Sequence, residues 1–150
     1  KDSSLAQELE LVKYYMNIQE IRFEDTLHCE IEIPSELLNT YLPKFTLQPL
    51  IENAIHYTLE EDSDECLITI KAYRELGYII IMVSNTESQF EDNLLEKLIS
   101  KEILPNGFGI GILNVYKRLE LAFGDSCKLE FINEENWATV KITVPEKTSI

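Results

Sequence analysis

The chain of 150 residues is poor in positive charge, in cysteine and in long apolar runs. Lys and Arg number 13 against 27 Asp and Glu, which leaves a formal net charge of −14. A surface that acidic repels phosphate backbones and anionic lipid heads, which argues against nucleic-acid binding and peripheral membrane docking. A polyphosphate ligand would need a metal ion, backbone N–H groups and a few placed cations. The longest purely apolar run, Tyr78 to Val83, falls far short of the roughly 20 residues of a membrane helix. Lys1-Asp2-Ser3-Ser4 leads into an amphipathic pattern with none of the features of a signal peptide. Cys29, Cys66 and Cys127 form no C-x-x-C pair, and each is in phase with apolar neighbours. They read as small buried hydrophobes of a reducing compartment, so metal and redox chemistry are not expected of them.

What is present fits one globular domain: 45% of the residues are hydrophobic and 27% charged. Leu5, Leu9, Val12 and Met16 recur at helical spacing, and Ser4 with Gln7 has the pattern of a capping box. From Leu27 to Ile33 the period changes to two, with Leu27, Cys29, Ile31 and Ile33 inward and His28, Glu30 and Glu32 outward. Pro34 ends this strand, a short helical stretch covers Ser35 to Asn39, and Pro43 and Thr46 introduce a helix from about Leu47 to Thr58. The acidic run Glu60 to Glu65 lacks the central Gly and the spaced ligands of a calcium loop and reads as a solvated turn.

Two strands follow, Cys66 to Tyr73 and Tyr78 to Val83, joined at Glu75-Leu76-Gly77. Continuous apolarity from Tyr78 to Val83 predicts a central strand covered on both faces. Ser84 to Gln89 reads as a loop and Phe90 to Lys101 as a helix. Pro105 to Gly109 reads as a break, and Gly111 to Phe123 as a helix stopped by Gly124. Strands over Lys128 to Ile132 and Trp137 to Val144, flanking a turn at Asn133 to Asn136, complete an α+β fold of about five strands with helices on one side.

Chemistry concentrates at two places. Leu47, Leu50, Ile51, Ala54 and Ile55 form the packed stripe of a helix that also carries Glu52 and Asn53, a pair that elsewhere is usually just solvated. Gly107-Phe108-Gly109-Ile110-Gly111 runs into the helix of Leu113, Asn114 and Arg118. Glycines before a helix start let the backbone approach phosphates, although a lone run of this kind is also a common flexible turn. The strand–turn–helix order of a dinucleotide fingerprint is not met.

In this order the two segments resemble the ATP-binding catalytic domain of sensor histidine kinases. Its fold is the Bergerat type, a two-layer α/β sandwich with a mixed sheet covered by helices on one face. The branch it resembles has an N box L-Q-P-L-x-E-N-A and a glycine box G-x-G-I-G-L-x-N-V-x-x-R-L. Here these are Leu47-Gln48-Pro49-Leu50-Ile51-Glu52-Asn53-Ala54 and the stretch Gly107 to Leu119. Glu8-Leu9 and Tyr14 to Phe23 are similar to the branch's linker helix, and the likeness runs from about Leu5 to Pro145.

The resemblance implies a linker helix over residues 1–23, leading from a dimerisation and phosphoacceptor domain outside this chain, and an ATP-binding domain over 24–150. It implies that Asn53 coordinates the magnesium ion on ATP and that Glu52 orders the metal shell or the acceptor. Gly107, Gly109 and Gly111 would wrap the phosphates, Asn114 would follow in the same site, and Arg118 would fix local structure. The lid would be roughly Gln89 to Asn106. Implied partners are the upstream histidine domain of the same protein, a response regulator and a second copy of the full-length kinase. The implied setting is the cytoplasmic side of a membrane-anchored receptor. Neither His28 nor His56 reads as the phosphoacceptor.

The chain departs from the family at several points. The Asp-x-Gly-x-Gly box, whose Asp accepts from the adenine amino group, is replaced by Ser84-Asn85-Thr86-Glu87-Ser88, with Ser84 at the Asp position. The His-Gly after the N box is Tyr57-Thr58, and Gly-Thr in the last strand is Ala138-Thr139. Pro49 stands where gyrase-type relatives have a catalytic Glu, so free-standing ATP hydrolysis is not expected. A degenerate domain acting through protein contacts is the alternative to a working kinase domain. A serine kinase of the anti-sigma type fits less well with the linker-helix likeness.

Overall fold

A computed structural model describes residues 2–23, 26–59, 65–86, 94–100 and 107–147, with the backbone alone at 56–59, 94–95, 98 and 107–110. The elements are β1 (Asp2–Ser4), α1 (Leu5–Arg22), β2 (Leu27–Glu32), β3 (Tyr41–Pro43), α2 (Gln48–Leu59), β4 (Cys66–Glu75), β5 (Tyr78–Thr86), α3 (Leu94–Ser100), α4 (Gly107–Phe123), β6 (Lys128–Glu134) and β7 (Trp137–Pro145). Short 3₁₀ turns lie at Ser35–Leu37 and Gly124–Ser126.

Five strands form one mixed sheet in the order β2-β4-β5-β7-β6, with β2 parallel to β4 and the other pairs antiparallel. Alternation along each strand sends one set of side chains toward the helices. Ile68 and Ile70 of β4, Ile79, Ile81 and Val83 of β5, and Val140, Ile142 and Val144 of β7 form this inner face. Leu47, Leu50, Ile51, Ala54 and Ile55 of α2 and Ile112, Val115 and Leu119 of α4 pack against it. Leu5, Leu9, Val12 and Met16 of α1 bury into the same core. The Ser4–Gln7 capping box is formed in both directions, so the first turn of α1 has its free N–H groups satisfied as the sequence predicts.

Several sequence expectations are corrected. Among the described residues, helices cover the central strand on one face only: on the other, Ile80 is buried, Met82 half-buried and Tyr78 exposed. β5 does not end at Val83 but continues through Ser84 to Thr86, because β7 pairs with it along its whole length. α4 begins at Gly107 rather than Gly111. β1 and β3 form a second, two-stranded sheet that no sequence period announces, tied by the Tyr41 hydroxyl donating to Asp2 at 2.9 Å. Most of the acidic run and of the expected lid lies outside the described residues; the part of the lid described is α3.

Candidate functional site

α2 carries the candidate pair Glu52 and Asn53 where its buried stripe meets its edge. Glu52 is exposed and accepts a hydrogen bond from the Gln48 side-chain amide at 3.0 Å. Burial and then the Glu52 charge raise the Tyr15 hydroxyl above its ordinary value, so α1 lies close to the same turn. Asn53, next in sequence, is only 2% exposed. Its carboxamide oxygen is buried and accepts no hydrogen bond. A buried acceptor without a partner costs about 1–3 kcal/mol, which makes this oxygen a candidate ligand-binding atom.

The glycine run reaches the same end of α2. A Cβ on Gly111 would lie 3.6 Å from the Pro49 side chain, in ordinary van der Waals contact. Pro49 is one helical turn before Asn53, so the first turn of α4 and the Asn53 turn of α2 are neighbours. Packing does not demand glycine at 111, since a methyl group would fit there. Gly107 and Gly109 fall in the first four residues of α4, where the backbone N–H groups have no intrahelical partner and the helix dipole favours an anion, and Gly111 follows directly. Glycine at such positions lets a phosphate come close to the main chain.

Asn114 is exposed on α4, one turn beyond Gly111. Arg118 is turned elsewhere: its guanidinium donates to the Phe45 carbonyl at 3.2 Å, fixing the loop before α2 as expected. Ser84 is not brought to this site. It lies on the sheet face opposite the helices, in register with Thr69 and Thr139, and its hydroxyl meets the Thr139 hydroxyl at 2.7 Å. The residue that strand alternation places on the inner face is Asn85, 3% exposed and in phase with Ile81 and Val83. Of the two, Asn85 and not Ser84 shares the inner face of the sheet with the helices. His28 is exposed on the edge strand β2, and the side chain of His56 lies outside the described residues.

Among the described residues no three His, Cys, Asp or Glu side chains cluster as a metal site. Magnesium fits the donor that is present: it takes one or two protein oxygens and completes its shell with phosphate and water. The orphaned Asn53 oxygen is such a donor. Sequence reasoning missed two residues of this neighbourhood. Asn85 was hidden by the unbroken apolarity of its strand. Glu8, whose carboxylate accepts from the backbone N–H groups of Phe45, Thr46 and Leu47, was named only within the linker-helix likeness, and its place on the buried stripe of α1 was the signal for this role.

Comparison with known proteins gives the family and the fold. The chain is similar to the sensor histidine kinase YesM of Bacillus subtilis, 34% identical over 148 residues, covering 98% of this chain and 24% of that protein. It is 30% identical to the sensor protein LytS of Oceanobacillus iheyensis over 144 residues, covering 94% of this chain and 25% of that one. It thus spans about a quarter of the length of these relatives. Its fold is that of the catalytic domain of histidine kinase ThkA, with a TM-score of 0.73 at 21% identity over 97% of this chain and 98% of that one. The same fold occurs in ThkA in complex with the response regulator TrrA, with a TM-score of 0.68 at 15% identity over 98% of this chain and 42% of that one. Residues 45–145, which take in α2, the strands from β4 onward and the glycine turn of α4, match the GHKL domain family, and the chain belongs to it.

Proposed function

We propose that this chain is the ATP-binding catalytic domain of a sensor histidine kinase. In this reading it binds magnesium–ATP between α2 and α4 and presents the γ-phosphoryl group to a histidine on a domain outside the 150 residues. The observation that carries the proposal is the buried, partnerless Asn53 oxygen one helical turn from the Pro49–Gly111 contact. Asn53 holds the metal, which when bound neutralises phosphate charge and orients the reacting group. The free N–H groups at Gly107 and Gly109 receive the phosphates, Gly111 keeps the main chain open to their approach, and Asn114 lies at the rim. Glycine there is roughly 1 kcal/mol per residue worse than alanine in a helix, so the turn remodels easily around the nucleotide. Asn85 meets the adenine edge in place of Ser84. Glu52, held by Gln48, faces the incoming acceptor.

The acceptor histidine, a dimer of the full-length kinase, a response regulator and a membrane-anchored sensor region with this domain in the cytoplasm belong to the same proposal. The sensor role draws on the names of the similar proteins YesM and LytS and the response regulator on the ThkA–TrrA pair, while the dimer and the membrane anchor rest on the family resemblance.

Thermal unfolding with and without magnesium–ATP tests it, with Asn53→Ala as the comparison. Ligand at 100 times its dissociation constant adds about 2.7 kcal/mol, and each kcal/mol raises the midpoint of a domain this size by about 2–4 °C. A magnesium-dependent rise on that scale, absent in Asn53→Ala, is the expected result. No rise at millimolar ATP would overturn the proposal and leave a degenerate domain that acts through protein contacts.

A further inference from the structure

The loop between β3 and α2 is held from two sides at a single residue. Glu8 of α1 is 1% exposed, and both of its carboxylate oxygens are directed at this loop. Oε2 accepts from the Phe45 N–H at 3.2 Å, and Oε1 accepts from the N–H groups of Thr46 at 2.7 Å and Leu47 at 3.2 Å. A carboxylate taken out of water is costly unless its oxygens are satisfied, and the free N–H groups ahead of a helix satisfy it well. From the other side, Arg118 of α4 donates to the carbonyl of the same Phe45. Phe45 has φ +62°, a left-handed conformation that costs a side-chain-bearing residue roughly 1–2 kcal/mol. Its ring is half exposed, so side-chain burial does not impose that conformation. The hydrogen bonds at its N–H and its carbonyl do.

This clamp joins the three helices that surround the candidate site. α2 leaves it and reaches Asn53 about two turns on. α4 packs on α2 near Pro49, which lies 3.6 Å from where a Cβ on Gly111 would sit, and its Arg118 holds the loop before α2 at Phe45. α1 enters through Glu8, and Leu5, Leu9 and Val12 on the same stripe bury it in the core. A small displacement of α1 therefore has a stiff route to the Asn53 turn, because the carboxylate, the loop and the start of α2 move together.

We propose that Glu8 and Arg118 are positioning residues that set the Asn53 oxygen against the glycine turn of α4 by clamping the Phe45 peptide. Neither touches nucleotide; both act through the placement of α2. This inference rests on the nucleotide-binding reading given above.

The test uses Glu8→Gln and Arg118→Gln, with Arg74→Gln, which removes the remote ion pair to Glu146 at 2.9 Å, as the reference. Two quantities are measured on the same proteins: amide hydrogen exchange of the unliganded chain at residues 45–47 and 50–54, and the dissociation constant for magnesium–ATP. Both clamp variants are expected to exchange faster through 50–54 and to bind magnesium–ATP about 2- to 30-fold more weakly, the range of coupling through packed networks. Arg74→Gln changes neither. Faster exchange confined to 45–47, with unchanged affinity, would overturn the proposal and reduce Glu8 to a stabilising cap. If Glu8→Gln does not fold, Arg118→Gln, which loses an exposed hydrogen bond, decides alone. If the wild type binds no magnesium–ATP, the proposed function falls. Exchange then decides the clamp: loss of protection through 50–54 supports it, and loss limited to 45–47 overturns it.

Discussion

The hydroxyl groups of Ser84 and Thr139 meet at 2.7 Å on the sheet face turned away from the helices, so Ser84 and Asn53 occupy opposite sides of the sheet. Its neighbour Asn85 takes the inner side. Ser84→Ala is therefore expected to leave magnesium–ATP affinity within twofold while lowering stability by about 1 kcal/mol, the worth of one neutral hydrogen bond. Asn85→Ala is expected to weaken affinity by about tenfold, which corresponds to 1.4 kcal/mol. Titration calorimetry on both variants checks the order; the reverse order would return the base contact to Ser84.

Asn53 carries an acceptor that the unliganded fold leaves unsatisfied. Asn53→Ala is expected to leave the unliganded protein as stable as the wild type or more so, and to abolish stabilisation by magnesium–ATP. Functional groups held at a cost to stability behave in this way. Urea denaturation in EDTA and in magnesium–ATP measures both halves. A large loss of stability without ligand would mean that Asn53 is a structural residue.

The turn between β4 and β5 places Leu76 at φ +50° and Gly77 at φ +83°, the signs of a tight hairpin that prefers Asn-Gly. Leu76 is 94% exposed and gains nothing from burial. Leu76→Asn is expected to stabilise the domain by roughly 1 kcal/mol, seen as a midpoint about 2–4 °C higher by circular dichroism.

Burial, reinforced by the Glu20 charge, pushes the Cys29 thiol from its ordinary 9.0 up to about 11. The folded chain thus holds this proton more tightly than the unfolded chain. The contribution is complete below pH 9 and is lost as pH rises from there through about 11. Midpoints measured from pH 8 to 11 are expected to fall more steeply in the wild type than in Cys29→Ala. Parallel curves would contradict this.

The helical stripes of α1 and α2, the alternation in β2 and the Ser4–Gln7 cap were legible because local period and local hydrogen bonding agree with the final packing. The phase of β5 was not. Ile79, Ile80 and Ile81 are all buried, the middle one on the other face, so hydropathy could not tell which of Ser84 and Asn85 points inward. The start of α4 was misread because glycine propensity argues against a helix at 107–111, whereas burial of Ile112, Val115 and Leu119 against the sheet extends it. β1 and β3 are three residues each, too short to show a period, and are paired by a contact 39 residues apart in sequence. The site's pieces, Asn53 and the glycine run, were readable as motifs; the Glu8–Phe45–Arg118 connection exists only through tertiary contact.

Metal binding at Asn53 is read by nuclear magnetic resonance line broadening with manganese–ATP, the paramagnetic ion standing in for magnesium. Broadening is expected to centre on Asn53 and the amides of Gly107 to Gly111, to be absent with manganese alone and lost in Asn53→Ala, and to spare His28 and Ser84. Broadening spread over the acidic surface, the same with and without ATP, would contradict it: the metal would then be following a net charge of −14 rather than a built site.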